Sequence, residues 1–146
     1  MRGRLLGVDP GDKRIGLAVS DLSGTIARPL RVLTHSARMV DAAQIASVAL
    51  EMQAGGIVVG QALDDEGQLS PEGRKSARLA EAIRAQTDLP VELWDESFST
   101  QSAREARIAM GVSRRKRAGH LDEFAAAVIL QGYLDAHSSE EEGRLI

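Results

Sequence analysis

The chain opens on a short apolar run, RLLGVD (4–9), and resumes an extended pattern, RIGLAVSD, from Arg14 to Asp21. Pro10, Gly11 and Asp12 between them carry turn chemistry, so the two runs predict a hairpin. Period-two alternation places Leu5, Gly7 and Asp9 on one face of the first strand, with Leu6 and Val8 on the other. Ser23-Gly24 marks a second turn, and LRVLTH (30–35), following Pro29, reads as a third strand. The period then lengthens. Ile45, Val48, Ala49 and Met52 recur at helical spacing, which predicts an amphipathic helix over 38–54 stopped by Gly55-Gly56.

GIVVG (56–60) is a β-branched strand, and Ser70-Pro71 supplies an N-cap with proline at the first helical position. Leu79, Ala80 and Ile83 form the stripe of that helix, up to about Gln86, and VELWD (91–95) is the next strand. A short helix near 101–110 and a basic loop at 111–118 precede a last helix over 119–136. Its run FAAAVIL (124–130) is apolar nearly all round, so it should be covered on more than one side. Three opening antiparallel strands followed by alternating helices and strands predict an α/β fold, a mixed five-stranded sheet with helices on both faces. One domain over 1–137 is expected, with 138–146 a flexible acidic tail.

Composition narrows the class. With 146 residues, 43% hydrophobic and 27% charged, the chain is neither disordered nor of low complexity, and it is long enough to bury about two-thirds of its unfolded surface. The absence of cysteine excludes disulfides, thiolate zinc sites and thiol catalysis. No apolar run approaches the roughly 20 residues needed to span a bilayer. The amino terminus, MRGRLLGVDPGD, lacks the pattern of a signal peptide, and a cytoplasmic location is expected. The net charge of −3 excludes a generally sticky nucleic-acid coat. It conceals a local patch, the consecutive Arg114, Arg115, Lys116 and Arg117. A charge run is usually a solvated loop. Four cations beside an acidic crevice suit phosphates instead.

Three acids sit where acids are costly or conspicuous. Asp9 ends an apolar strand, where a carboxylate must be compensated; the plain alternative is a turn aspartate bonded to its own backbone. Asp95-Glu96 ends the VELW run ahead of Ser97, Ser99 and Thr100, a place where helix caps also gather. Asp122-Glu123 lies in the first turn of the last helix, where the helix dipole favours acids by about 0.3–1 kcal/mol. Each is weak alone. Strand ends in such a sheet face one crevice, so Asp9, Glu96 and Asp122 could converge there. Two carboxylates about 5 Å apart repel by roughly 3 kcal/mol at an effective dielectric near 20. Three together would share a proton or bind a hard cation, and oxygen ligands alone select Mg2+ or Mn2+ over zinc.

The segments LGVDPGDKRIGLAVSD (6–21), IVVG (57–60), WDESFST (94–100) and HLDEFAAAVILQGYLD (120–135) together resemble the YqgF family of RNase H-like nucleases, also described as Holliday-junction-resolvase-like. The resemblance runs in order over essentially the whole chain. It implies an RNase H-like fold, an acidic triad at Asp9, Glu96 and Asp122, and metal-dependent hydrolysis of phosphodiester bonds. That activity is linked to maturation of the 5′ end of the small-subunit ribosomal RNA precursor and, more loosely, to resolution of four-way DNA junctions. Arg14 matches the basic residue of the D-x-G-x-x-R-I-G motif, as a phosphate contact or a structural ion pair. The chain departs from the family at Ser97, where an arginine is common, and at Gln61-Ala62-Leu63, where a proline-containing loop is usual. His120 stands at an often basic position, as a helix-start residue or a proton-transfer group. The four aromatic residues Trp94, Phe98, Phe124 and Tyr133 are too few for base stacking to dominate. The expected partner is a structured RNA precursor or branched DNA read through its backbone, with the protein a monomer or weak homodimer. Three alternatives stand beside the RNA nuclease: a junction resolvase, which needs a dimer, an ATP-binding relative of the same fold, and a non-catalytic nucleic-acid-binding module.

Overall fold

A computed structural model describes residues 3–61, 70–95 and 121–144. Five strands form one sheet: β1 (Leu5–Asp9), β2 (Arg14–Ser20), β3 (Ala27–Thr34), β4 (Gly56–Gln61) and β5 (Val91–Asp95). Their spatial order is β3-β2-β1-β4-β5. The first three pair antiparallel, and β4 and β5 join parallel on the other side of β1. Among the described residues the helices are α1 (Arg38–Glu51), α2 (Pro71–Arg84) and α3 (Leu121–Arg144). The mixed five-stranded α/β architecture expected from the pattern is the one observed.

The alternation of β1 divides the core. Leu6 and Val8 pack with Ile15, Leu17, Ile57 and Val59 of the sheet against Ile45 of α1 and Leu79 and Ile83 of α2. Leu5, Ala18 and Val58 face the other way, against Ala126, Leu130 and Leu134 of α3. Helices therefore cover both faces, and β1, at the centre of the sheet, is buried on each side. Gly7 lets α3 approach: a Cβ built there would lie 2.8 Å from Leu130 Cβ and 3.2 Å from the Ala126 carbonyl oxygen.

Several boundaries differ from the expectation. β3 begins at Ala27 instead of residue 30 and carries Pro29 inside it. An edge strand tolerates a missing N–H donor, and the β2–β3 register shifts between Leu17 and Ala18, where Pro29 sits opposite Ala18. α1 ends at Glu51, ahead of the glycine pair, because Gln53 takes a left-handed conformation with φ of 56°; Gly56 is instead the first residue of β4. α2 starts as its sequence dictates, with Ser70 Oγ accepting from the Gly73 N–H at 3.0 Å and Pro71 in the first turn. α3 begins at Leu121 and runs to Arg144, past the expected end at 136. The expected helix over 101–110 and the basic loop over 111–118 lie outside the described residues.

Candidate functional site

The direction of α3 over the sheet determines which groups its amino end meets. Its carboxyl-terminal half lies near the start of β1: a Cβ on Gly24 would be 3.9 Å from a Leu134 methyl and 3.3 Å from the Gly3 carbonyl oxygen. Gln131 ties the same stretch to the β2–β3 turn, accepting from the Ala27 N–H at 2.9 Å and donating to the Thr25 carbonyl at 3.0 Å. Ala126 and Leu130 lie over Gly7. The helix thus runs antiparallel to β1, and its first turn is carried toward the end of the strand that bears Asp9.

Asp9 is the last residue of β1, half-buried, on the α3 face that alternation assigned to it. Its cross-strand partner is Gly16. Paired residues share a face, so β2 itself contributes no side chain beside the carboxylate. Arg14 opens β2, exposed, opposite Thr34 of β3. Asp95 closes β5, half-buried and paired with Gln61 of β4.

β5 alternates in the same sense as β1. Val91 and Leu93 pack into the α1–α2 side of the core. Glu92 and Trp94 face α3, where Glu92 accepts from Tyr133 Oη at 2.7 Å. The Trp94 ring meets that of Tyr133 edge-on at 5.5 Å. Tyr133 stacks in turn on His137, at 3.9 Å between ring centroids. Trp94 is half-buried against the α3-side cluster.

Asp122 is the second residue of α3, and its side chain lies outside the described set, as do Glu96, His120 and the cations Arg114, Arg115, Lys116 and Arg117. Among the described residues no three acidic or histidine side chains gather into a metal-holding group, and of the three acids only Asp9 has a described side chain. None of the described helices is long and apolar enough to cross a membrane.

On the opposite face of the sheet the β1–β2 turn closes a second feature that the sequence did not announce, a cavity of about 500 Å3 between the turn and helices α1 and α2. Lys75 donates to the Asp12 carboxylate at 2.9 Å across this cavity. That contact, reinforced by the lysine charge and by His35, holds the Asp12 carboxyl below the ordinary carboxylate range. His35 pairs through Nδ1 with Asp41, which is 2% exposed and also accepts from the Ser36 N–H at 3.1 Å. No local pattern encodes these pairs, because each joins separate elements. A weak signal was available in Lys75 and Arg78, two cations three apart on the exposed side of a helix.

The family model described as "RuvX: Holliday junction resolvase" matches residues 3–136. Among curated relatives, a protein of Clostridioides difficile (strain 630) is 40% identical over 133 residues, which is 91% of this chain and 94% of the relative. One of Thermoanaerobacter pseudethanolicus is 39% identical over 138 residues, 94% of this chain and 99% of the relative. Both carry the name "Putative pre-16S rRNA nuclease". Among solved structures, Thermus thermophilus RuvC in complex with a Holliday junction substrate superposes with a TM-score of 0.60 at 19% identity, covering 92% of this chain and 96% of that one. Fowlpox virus resolvase with Holliday junction DNA gives 0.55 at 12% identity, over 91% and 97% of the two chains. At such identities these two likenesses establish the fold, that of the RuvC-like RNase H resolvases. Matched over nearly its whole length by the family model and by relatives of almost equal size, the chain belongs to the RuvX family.

Proposed function

We propose that this chain is a divalent-metal-dependent nuclease acting on phosphodiester bonds in the precursor of the small-subunit ribosomal RNA, at its 5′ end, in the cytoplasm and as a monomer or weak homodimer. The observation that carries the reading is the antiparallel seating of α3 on β1. From Gly7 to Asp9 the strand advances about 7 Å. From Ala126 back to Asp122 the helix retreats one turn, about 6 Å. That course carries the backbone of α3 toward the end of β1, and it supports reading Asp9 and Asp122, 113 positions apart in the sequence, as partners in one site. In this reading Glu96, two positions after Trp94 in the sequence, supplies the third acid.

An all-carboxylate donor set suits Mg2+ or Mn2+, and in this proposal Asp9, Glu96 and Asp122 hold the metal. Bound there, such an ion neutralises charge on the phosphate and makes an attacking water available at neutral pH. Asp9, half-buried at the end of a central strand, fixes the position of its carboxylate. Gly16 beside it leaves room for substrate. Arg14 and the run Arg114–Arg117 contact flanking phosphates.

The names of the bacterial relatives favour the RNA substrate. The family description favours a second reading, in which the substrate is a four-way DNA junction cut symmetrically by a dimer. A cleavage assay offering precursor RNA and a four-way junction side by side, with and without Mg2+, tests both. The wild-type protein should cut the RNA near its 5′ end only with the metal present. Asp9→Asn should lose at least about 100-fold in rate, the scale of a missing electrostatic group, with its melting temperature kept. Cleavage by Asp9→Asn at the parent rate would overturn the acidic-triad reading. A junction cut while the RNA stays intact would replace the first substrate with the second.

A further inference from the structure

The cavity on the α1–α2 face uses none of the three acids, yet it begins within three residues of Asp9. Pro10 and Gly11 form its rim, and Ile15 and Leu79 its apolar floor. Its volume of about 500 Å3 falls within the range of small-ligand sites and exceeds what a lone ion needs. The charged groups come from three separate elements. Arg38 lies at the start of α1, Lys75 and Arg78 lie on the exposed side of α2, and His35 follows β3.

The two carboxylates in the wall are already engaged. Asp41 is buried under His35 and the Ser36 N–H. Asp12 is bonded to Lys75. Arg38 and Arg78, by contrast, form no ion pair among the described residues, although both residues line the same space. Two arginines brought to one cavity by separate helices leave like charges near each other without a described counter-charge, and an anion between them would offset that. A guanidinium presents paired donors matched to phosphate oxygens. Because Asp41 engages His35 through Nδ1, its Nε2 is the ring nitrogen left for a ligand. The apolar floor suits the sugar attached to such a phosphate.

From this geometry we infer that the cavity is a nucleotide-phosphate site, in which Arg38 and Arg78 clamp a phosphoryl group, His35 contacts it through Nε2, and Ile15 and Leu79 seat the attached sugar. The phosphate comes from the backbone of a bound nucleic-acid strand or from a free mononucleotide. In the first case the inference rests on the nuclease reading, and one strand would cross the β1–β2 turn, with Asp9 on one side and the cavity on the other.

The test uses the full chain in EDTA, so that nothing is cleaved, and follows the His35 ring resonances by NMR. Inorganic phosphate, adenosine 5′-monophosphate and a single-stranded RNA decamer are titrated in turn. A saturable shift of His35 that disappears in the double variant Arg38→Gln/Arg78→Gln is the expected result. If the decamer alone produces it, the source is the nucleic-acid backbone; if the mononucleotide matches the decamer and competes with it, the source is a free nucleotide. With the backbone as source, the double variant should bind the decamer about tenfold more weakly at physiological salt. The slope of log affinity against log salt should fall by about 1.4, two phosphate contacts at 0.7 each. His35 resonances unmoved by all three probes, or moved equally in the double variant, would overturn the inference. The two readings fail separately. Wild-type cleavage left unchanged by the double variant, with no His35 shift, removes the cavity site and leaves the nuclease standing; a His35 shift in a protein that cleaves nothing does the reverse.

Discussion

Replacing Gly7 with alanine tests whether α3 carries its first turn to Asp9. The added Cβ would stand 2.8 Å from Leu130 Cβ and 3.2 Å from the Ala126 carbonyl. Carbon atoms rest at about 3.5–4.0 Å, and neither obstacle is the free end of a flexible side chain. The helix must therefore move off the strand by roughly 1 Å. Overpacking of this kind costs about 1–3 kcal/mol, and removing a strand glycine returns about 0.5–1 kcal/mol. The net loss is about 1–2 kcal/mol, or about 3–8 °C in melting temperature for a domain of this size. Functional groups need placement within about 0.5 Å, and a misplacement of about 1 Å can cost 100-fold in rate. Cleavage by Gly7→Ala, assayed well below its melting temperature, should fall by about 10- to 100-fold. Ile45→Val provides the control: Ile45 is fully buried on the other face, and the change costs about 0.5–1.5 kcal/mol without touching α3. It should lose comparable stability and keep its cleavage rate. A Gly7→Ala protein with parent-like melting and cleavage would refute both the seating of α3 and the site argued from it.

Gly11→Ala should be at least as disruptive, because the new Cβ would lie 2.3 Å from the Arg14 carbonyl oxygen, forcing the β1–β2 turn open; a lower melting temperature together with weakened Mg2+ binding by calorimetry is the expected result. Asp21 accepts from Ser23 Oγ and from the Thr25 and Ile26 N–H groups, which hold its carboxyl down at about 2 against an ordinary 3.8. Since its folded value is depressed, the stabilisation is complete above about pH 4 and is lost as pH falls through 2; urea melts from pH 6 to 2 should show this dependence, and Asp21→Asn should flatten it. Asp41→Ala leaves the Ser36 N–H and His35 without their acceptor, at about 1–3 kcal/mol by chemical denaturation.

Much of this arrangement was legible in local pattern, and the reasons are specific. The faces of β1 follow from a period of two that nothing interrupts between Leu5 and Asp9. Ser70-Pro71 announced α2 because an N-cap is a contact between residues three apart. What escaped was decided elsewhere in the fold. Gln53 adopts its left-handed φ with no glycine to mark it, while the glycine pair beside it serves the start of β4. Pro29 argued for a boundary, yet β3 is an edge strand, and edge status is a property of the sheet. The Lys75–Asp12 pair spans 63 positions, so no window along the chain could reveal the cavity it borders.

The same turn explains why two different chemistries lie so near each other. Gly11 permits a tight reversal after Asp9, and β1 alternates up to that point, so successive side chains must leave on opposite faces of the sheet. Asp9 goes to the α3 side, where the only described helix amino terminus is that of α3 and carries further carboxylates. The turn itself borders the α1–α2 side, where Arg38, Lys75 and Arg78 stand. On the proposed readings, an acidic, cation-seeking crevice and a basic, anion-seeking cavity would stand on opposite faces of the same sheet. A polyanion drawn to the basic side would then lie close to the proposed acids that would otherwise repel it. That is the electrostatic problem a nuclease with net charge −3 has to solve, and local placement of cations answers it where the overall charge does not.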